Sequence, residues 1–461
     1  MTHRDSNRAR RRGSGRLLPI LAMAATLPLA ACDLDRLLDV TDPEVATPGS
    51  LTGKEALPTI LAGALGDFAV AFTGSNGGNP QGVGSEGLVN FSGLLADEFQ
   101  NTETFTDRID IDSRQIQEDN GSLDAVTLSA HRARASADRG IERFTEFDPN
   151  TVGHATVLNL SGLMYVLFGE NYCSGVPTSS ISDAGAITYG EQETTERMWE
   201  RAIARFDEAL TVATAAGSAA QENLARVGKG RALLNAGDPA AAAAAVAGVP
   251  TSFSFAMDHT VNTVRQNNGV FAFSTQQERW GVADLEGSNG LPFRTANGPR
   301  VQFARTPATN VGFDGVTPMF FQLKYPNENA DALVASGLEA RLIEAEASLA
   351  TNPSAWLTAL NALRAAPPSY TGVTTPLPAL ADPGSQAARV DLHFRERAFW
   401  LYITAHRLGD LRRLVRDYGR PAESVFPTGS YHKGGVFGSN TSLQLTIGED
   451  TNPNFQGCLA E

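Results

Sequence analysis

The sequence predicts a mainly α fold built from paired helices. Three observations predict it. Apolar residues recur at helical spacing: Met198, Ala202, Phe206 and Ala209 share one stripe, and Leu338, Leu342, Ala345 and Leu349 share another. Helical segments follow one another across short turns, as at 220–235 and 239–248, where Asp238 can cap the second helix and Pro239 occupies its first position. Between about Val249 and Tyr325 the periodicity fades, and Gly, Asn, Pro and Phe are scattered through the stretch. A loop of that length does not fit a compact domain, so short strands and excursions are expected there.

In chain order, the N-terminus comes first. A basic stretch from Arg8 to Arg16 precedes an apolar run of 15 residues, Leu17 to Ala31. That run is shorter than the roughly 20 residues a membrane-spanning helix needs, and Pro19 and Pro28 interrupt it. Residues 1–31 therefore read as a signal peptide. The segment ends in Leu29-Ala30-Ala31-Cys32, which resembles the bacterial lipobox, and Cys32 is the expected lipidation site. No later apolar stretch reads as long enough to span a bilayer, so acyl chains on Cys32 are the expected membrane anchor. Residues 32–50, rich in Asp, Thr and Pro, read as an extended tether, and 51–461 as the folded domain.

Within that domain, Leu51 to Phe72 is an apolar helix, and the Gly/Asn/Ser stretch from Gly74 to Gly87 is a loop. Residues 124–147 form another helix. Residues 155–168 are apolar on nearly every face, which predicts a buried one. The helix over 195–212 keeps Glu196, Arg201 and Glu208 off its apolar stripe, and the Ala run from 240 to 245 suits close helix packing. After the irregular part, taken as 249–330, helices return at 337–351, 353–365 and about 386–416, and a turn-rich tail runs from 419 to 461. The helical scaffold thus occupies 51–248 and 337–416. Its paired helices suggest stacked hairpins of the tetratricopeptide type, although no clean 34-residue self-match is present.

Charge excludes one class of function. Residues 1–31 hold six arginines and one acid. Set against 37 basic and 51 acidic residues in the whole chain, they leave a mature chain of 31 basic and 50 acidic residues, net −19. Nucleic-acid binders need clustered positive charge, so none is expected as a partner. With Cys32 lipidated, Cys173 and Cys458 remain, an even pair in an exported chain, and are expected to form a disulfide.

Catalytic motifs are missing. Gly82-x-Gly84-x-x-Gly87 matches a dinucleotide fingerprint in letters, but no strand precedes it and no βαβ pattern surrounds it. There is no Walker A, HExxH or GxSxG motif. The seven histidines are scattered without ligand spacing, and Cys173 has no neighbouring cysteine, so neither a metal nor a cofactor is expected. Acids at Asp97, Glu98 and from Asp107 onward could pair as in a glycosidase, but acids are common throughout the chain, and the reading is non-catalytic.

Several segments together resemble the SusD/RagB family of nutrient-uptake lipoproteins. Leu37-Leu38-Asp39-Val40 looks like that family's tether motif. Leu167-Phe168-Gly169-Glu170, then Gly175-Val176-Pro177, is similar to its helix-end turn. Leu342 to Ala347 and Ala359 to Arg364 resemble two of its helices. Arg395 to Leu401, then His406 to Arg413, resembles its signature, except that Thr404-Ala405 stands where the family usually has an acid and a glycine. The resemblance implies a SusD-like helical scaffold with a ligand-carrying excursion. It also implies an outer-membrane location facing the cell surface, a TonB-dependent barrel of the SusC type as partner, and capture of an oligosaccharide, or in some relatives a peptide. A periplasm-facing helical-repeat lipoprotein that scaffolds envelope assembly is the competing reading. The charges of these motifs, Glu344, Glu346, Arg395, Glu396, Arg407, Asp410 and Arg412, together with His406, read as helix-to-helix ties or solvated groups.

Sugar capture calls for flat apolar faces beside hydrogen-bonding groups. Trp199, Trp356 and Trp400 lie on helical stripes and read as core. Trp280 is the only tryptophan of the excursion, flanked by Gln276, Gln277, Glu278 and Arg279, and is the leading ligand-binding candidate, followed by Phe271, Phe273 and Tyr325.

Overall fold

The structure, a computed structural model, describes residues 53–77, 85–182, 186–305 and 311–460. The expected signal peptide, Cys32, the tether, and Gly82 and Gly84 of the glycine motif lie outside them.

Antiparallel helix pairs build the scaffold. Leu57–Thr73 packs on Gly121–Phe147, which packs on Val152–Asn171. That helix packs on Thr195–Ala215, followed by Ala219–Asn235 and Pro239–Val246. Gly337–Leu349 joins the array against Pro239–Val246 and pairs with Pro353–Ala365. The helices start where they do because of their caps. The side chains of Asn120, Thr151, Thr194, Ser218, Asp238, Ser336, Asn352 and Ser385 each accept the backbone N–H three residues on. Each such cap contributes about 0.5–2 kcal/mol.

Val152–Asn171 is the centre of the scaffold, buried without a break from His154 to Asn171. Gly169 is required there: a Cβ at that position would lie 2.3 Å from the Trp199 ring. This helix corrects one sequence expectation. By length and composition both it and Lys54–Thr73 could cross a bilayer, but 89% of the apolar window of Val152–Asn171 is buried inside the fold, as befits a core helix. At its end, Arg412 donates to the carbonyls of Gly169 and Tyr172, both at 2.8 Å, satisfying groups the helix leaves unpaired. Cys173 and Cys458 are bonded, with Cα atoms 5.7 Å apart, tying the tail to this same helix end.

Two further differences have clear causes. Residues 386–416 are two helices, Gln386–Trp400 and Arg407–Arg416. Between them Ile403 and Ala405 adopt positive φ, 45° and 58°. Ala405 thus holds the left-handed conformation at the position where the SusD/RagB motif has glycine. Tertiary bonds hold the break: Ile403 N–H donates to Glu98 at 2.7 Å, and Tyr325 O–H donates to the Ile403 carbonyl at 3.0 Å. Second, the helices Leu88–Leu95 and Thr106–Asp112 have no counterpart in the sequence reading. Every residue of Leu88–Leu95 is buried, so it has no polar face to make a period.

The excursion contains the expected short strands. Ser254–Met257 pairs antiparallel with Ala332–Ser336, Phe303–Ala304 with Phe321–Gln322, and Trp280–Val282 with Phe99–Asn101. The stretch from Gly74 onward is not all loop, since Gly74–Ser75 pairs with Ser85–Glu86.

Burial pushes the Glu98 carboxyl from its ordinary 4.5 up to about 8, only partly opposed by the Ile403 N–H. The folded state therefore holds a proton that the unfolded chain releases near pH 4.5. Stability should fall as pH rises from about 4.5 to 8 and then level off. Urea unfolding across that range should show the decline in the parent chain and a flatter profile in Glu98→Gln. Equal slopes would mean Glu98 is ionised in the fold.

Candidate functional site

The excursion brings two exposed phenylalanines together. Phe105 and Phe313 are 50% and 51% exposed, with ring centroids 6.4 Å apart. Phe105 caps the start of Thr106–Asp112. Phe313 sits on the turn Val311–Pro318, whose ends form an antiparallel bridge. Asp314 shapes that turn by accepting from the backbone N–H groups of Val316 and Thr317 at 2.9 and 2.8 Å. Gly312 lets the turn press on Thr102, since a Cβ there would lie 2.2 Å from the Thr102 Cβ. Phe313 N–H donates to the Glu278 carbonyl, and Asp314 N–H to that of Thr102. The Phe313 ring is therefore carried on a turn with little freedom to collapse.

Two guanidiniums fix the rings from behind. Arg279 lies 3.9 Å from the Phe313 centroid and 4.8 Å from that of Phe105. Arg108 lies 5.0 Å from Phe105 and 5.3 Å from the buried Phe273. Glu103, its side chain fully buried, accepts from Arg279 at 2.9 Å and from Arg108 at 3.0 Å. Burial pushes the Glu103 carboxyl up, and the two guanidiniums oppose it. Lys433 pairs with Asp314, and with Thr317 and two backbone N–H groups it outweighs burial and holds the Asp314 carboxyl down to about 2. The result is a preorganised apolar face whose two guanidiniums are engaged beneath it, Arg108 with Glu86 and Glu103 and Arg279 with Glu103. Such a face can stack on the C–H surface of a pyranose or on another flat apolar group.

The sequence candidates fall one layer below this face. Trp280 is 0% exposed, with the Phe273 ring stacked on it at 5.5 Å and Phe99 beside it at 6.4 Å. Phe273 and Tyr325 are likewise buried, and Phe271 is half-buried against the core. The expectation that Trp280, Phe273 and Tyr325 face a ligand is corrected: they are core side chains. The reason is strand pairing: Trp280–Val282 pairs with Phe99–Asn101 and is buried throughout, and the Trp280 ring packs against Phe273 and Phe99. Trp199, Trp356 and Trp400 are buried as expected.

Two of the acids considered for a glycosidase pair have other partners. Asp97 takes both arms of Arg407, at 2.6 and 2.9 Å, and Asp112 accepts from Tyr431 O–H at 2.6 Å.

No protein-family model matches the sequence, and no curated protein does. Solved structures share the fold. A SusD superfamily protein from Bacteroides thetaiotaomicron is similar at 14% identity and TM-score 0.63, over 89% of this chain and 100% of that one. A laminarin binding SusD-like protein is similar at 13% identity and TM-score 0.59, over 89% and 100%. Surface glycan-binding protein A from Bacteroides uniformis is similar at 14% identity and TM-score 0.55, over 88% and 99%. The fold of this chain is SusD-like.

Proposed function

We propose that this SusD-like chain is a non-catalytic lipoprotein, held by lipid on Cys32 in the outer membrane and facing the cell surface, that captures an oligosaccharide and passes it to a TonB-dependent barrel of the SusC type. The observation that carries the reading is the Phe105–Phe313 face with Arg279 behind it, where the excursion meets the start of helix Thr106–Asp112. Two solved proteins of the same fold are described as laminarin binding and glycan-binding, which favours a glycan over a peptide as ligand. The lipobox-like Leu29 to Cys32 supports the anchor, and the acidic mature chain suits an uncharged ligand better than an anionic one.

Two experiments test the proposal. The purified mature chain, applied to an array carrying oligosaccharides and peptides, should be retained by one class of oligosaccharide; retention by peptides alone would reassign the ligand. Protease shaving of intact cells should remove the chain. A chain untouched until the outer membrane is opened would contradict surface display and favour a periplasmic scaffold.

A further inference from the structure

Behind the aromatic face lies a second group of residues that the capture reading does not use. The end of helix Thr106–Asp112, the turn at Glu286 and the turn bridged at Ser430 and Val436 bring Asp112, Glu286 and His432 together. Each offers one ligand atom, and these atoms all lie within 4.8 Å of one another.

Their hydrogen bonds leave one side of each group free. Asp112 Oδ2 accepts from Tyr431 O–H at 2.6 Å and from Asn101 N–H at 3.2 Å, while its buried Oδ1 has no partner. Both oxygens of Glu286, 5% exposed, are without a hydrogen-bond partner. The nearby Arg294 instead packs over the Phe320 ring, 3.7 Å from its centroid. His432 Nε2 lies 2.8 Å from the Asn101 carbonyl, which can only accept, so Nε2 carries the proton and Nδ1 keeps the lone pair. Outer hydrogen bonds that orient a carboxylate and fix an imidazole tautomer are the usual surroundings of metal ligands. A buried carboxylate with neither oxygen bonded, as at Glu286, beside a second one bonded through a single oxygen, as at Asp112, is otherwise costly by several kcal/mol.

We propose that Asp112, Glu286 and His432 hold a divalent transition-metal ion, Zn2+ or Mn2+. Bonds of about 2.0–2.2 Å to such an ion require donors some 3–4 Å apart, so binding would draw these side chains slightly together. The imidazole nitrogen favours these ions over Ca2+ and Mg2+, which prefer oxygen alone. His432 is exposed, so the ion can enter from solvent and complete its shell with water. Bound there, it clasps the C-terminal tail to the excursion, next to Lys433, which anchors the Phe313 turn through Asp314.

The test uses the full mature chain, stripped with chelator and without oligosaccharide, so that its outcome is independent of glycan capture. Titration calorimetry with ZnCl2 and MnCl2 should show one ion per chain, with CaCl2 binding more weakly. The melting temperature should rise with ion concentration. Glu286→Gln removes charge from a side chain that makes no hydrogen bond, and it should weaken binding about tenfold or more, as should His432→Ala. Absence of saturable binding by the parent chain up to millimolar ZnCl2 and MnCl2 would overturn the proposal, leaving a shared proton as the neutralising agent. Equal binding by the parent and both variants would also overturn it, by placing the ion elsewhere. If a variant does not fold, the titration of the parent chain still decides.

Discussion

Replacing Glu346 with Ala should lower the stability of the folded chain by about 3–5 kcal/mol, the usual cost of leaving a buried charge without its partner. Glu346, on Gly337–Leu349, accepts from Arg413 Nη2 at 3.1 Å and from Tyr418 O–H at 2.8 Å, and lies 3.1 Å from His393 Nε2. Trp356 Nε1–H points at His393 Nδ1, 3.2 Å away, so the histidine proton sits on Nε2 and is donated to Glu346. Arg413 also donates to Asp410, which takes two bonds from Arg397 at 2.8 and 2.9 Å. All these groups except Tyr418 are buried. Removing Glu346 leaves the Arg413 charge half-compensated where water cannot reach it. Urea unfolding reads the effect, and a loss under about 1 kcal/mol would mean that the network relaxes into solvent.

The same network sets an acid limit. Burial alone would raise the Asp410 carboxyl, but Arg397 and Arg413 outweigh it and hold it at about 2 against an ordinary 3.8. Its contribution is complete above pH 3.8 and is lost as pH falls through about 2.

What the sequence discloses follows from which signals are local. Caps such as Asp238 and Ser385, and stripes such as Met198 to Ala209, act within one helix and can be read directly. The Arg395 to Arg413 segment resembles a family signature, and the structure gives its charges a physical role: Glu396 takes Arg300 and Arg364, Arg397 takes Asp410, and Arg407 takes Asp97. Arg395 is exposed, and Glu344 pairs only with its neighbour Arg341. The break at Ile403 to Ala405 is illegible locally because its supports, Glu98 and Tyr325, come from distant parts of the chain.

The proposed capture face is less legible. Tryptophan content drew attention to Trp280, whereas burial is decided by strand pairing with Phe99–Asn101, a contact across about 180 residues. A weak signal for the proposed face does exist. Phe105 stands alone among Thr and Glu, and Phe313 lies between turn residues in Gly-Phe-Asp-Gly. An aromatic with no apolar neighbours, in a segment with no stripe to join, has little reason to be core. Their convergence through Arg279 is tertiary and has no local sign.

The affinity of the chain for the oligosaccharide class it retains should be measured by titration calorimetry for the parent, Phe105→Ala, Phe313→Ala and the double variant, with Trp280→Ala as control. Stacking contributions of about 1–3 kcal/mol per ring should reduce affinity roughly tenfold or more for Phe313→Ala and further for the double variant. Melting temperatures of these variants should hardly move, because half-exposed rings contribute within about 0.5 kcal/mol. Trp280→Ala should do the reverse, losing about 3–5 kcal/mol of stability as a truncated core tryptophan. A double variant that binds as tightly as the parent would contradict the assignment of this face as the capture site.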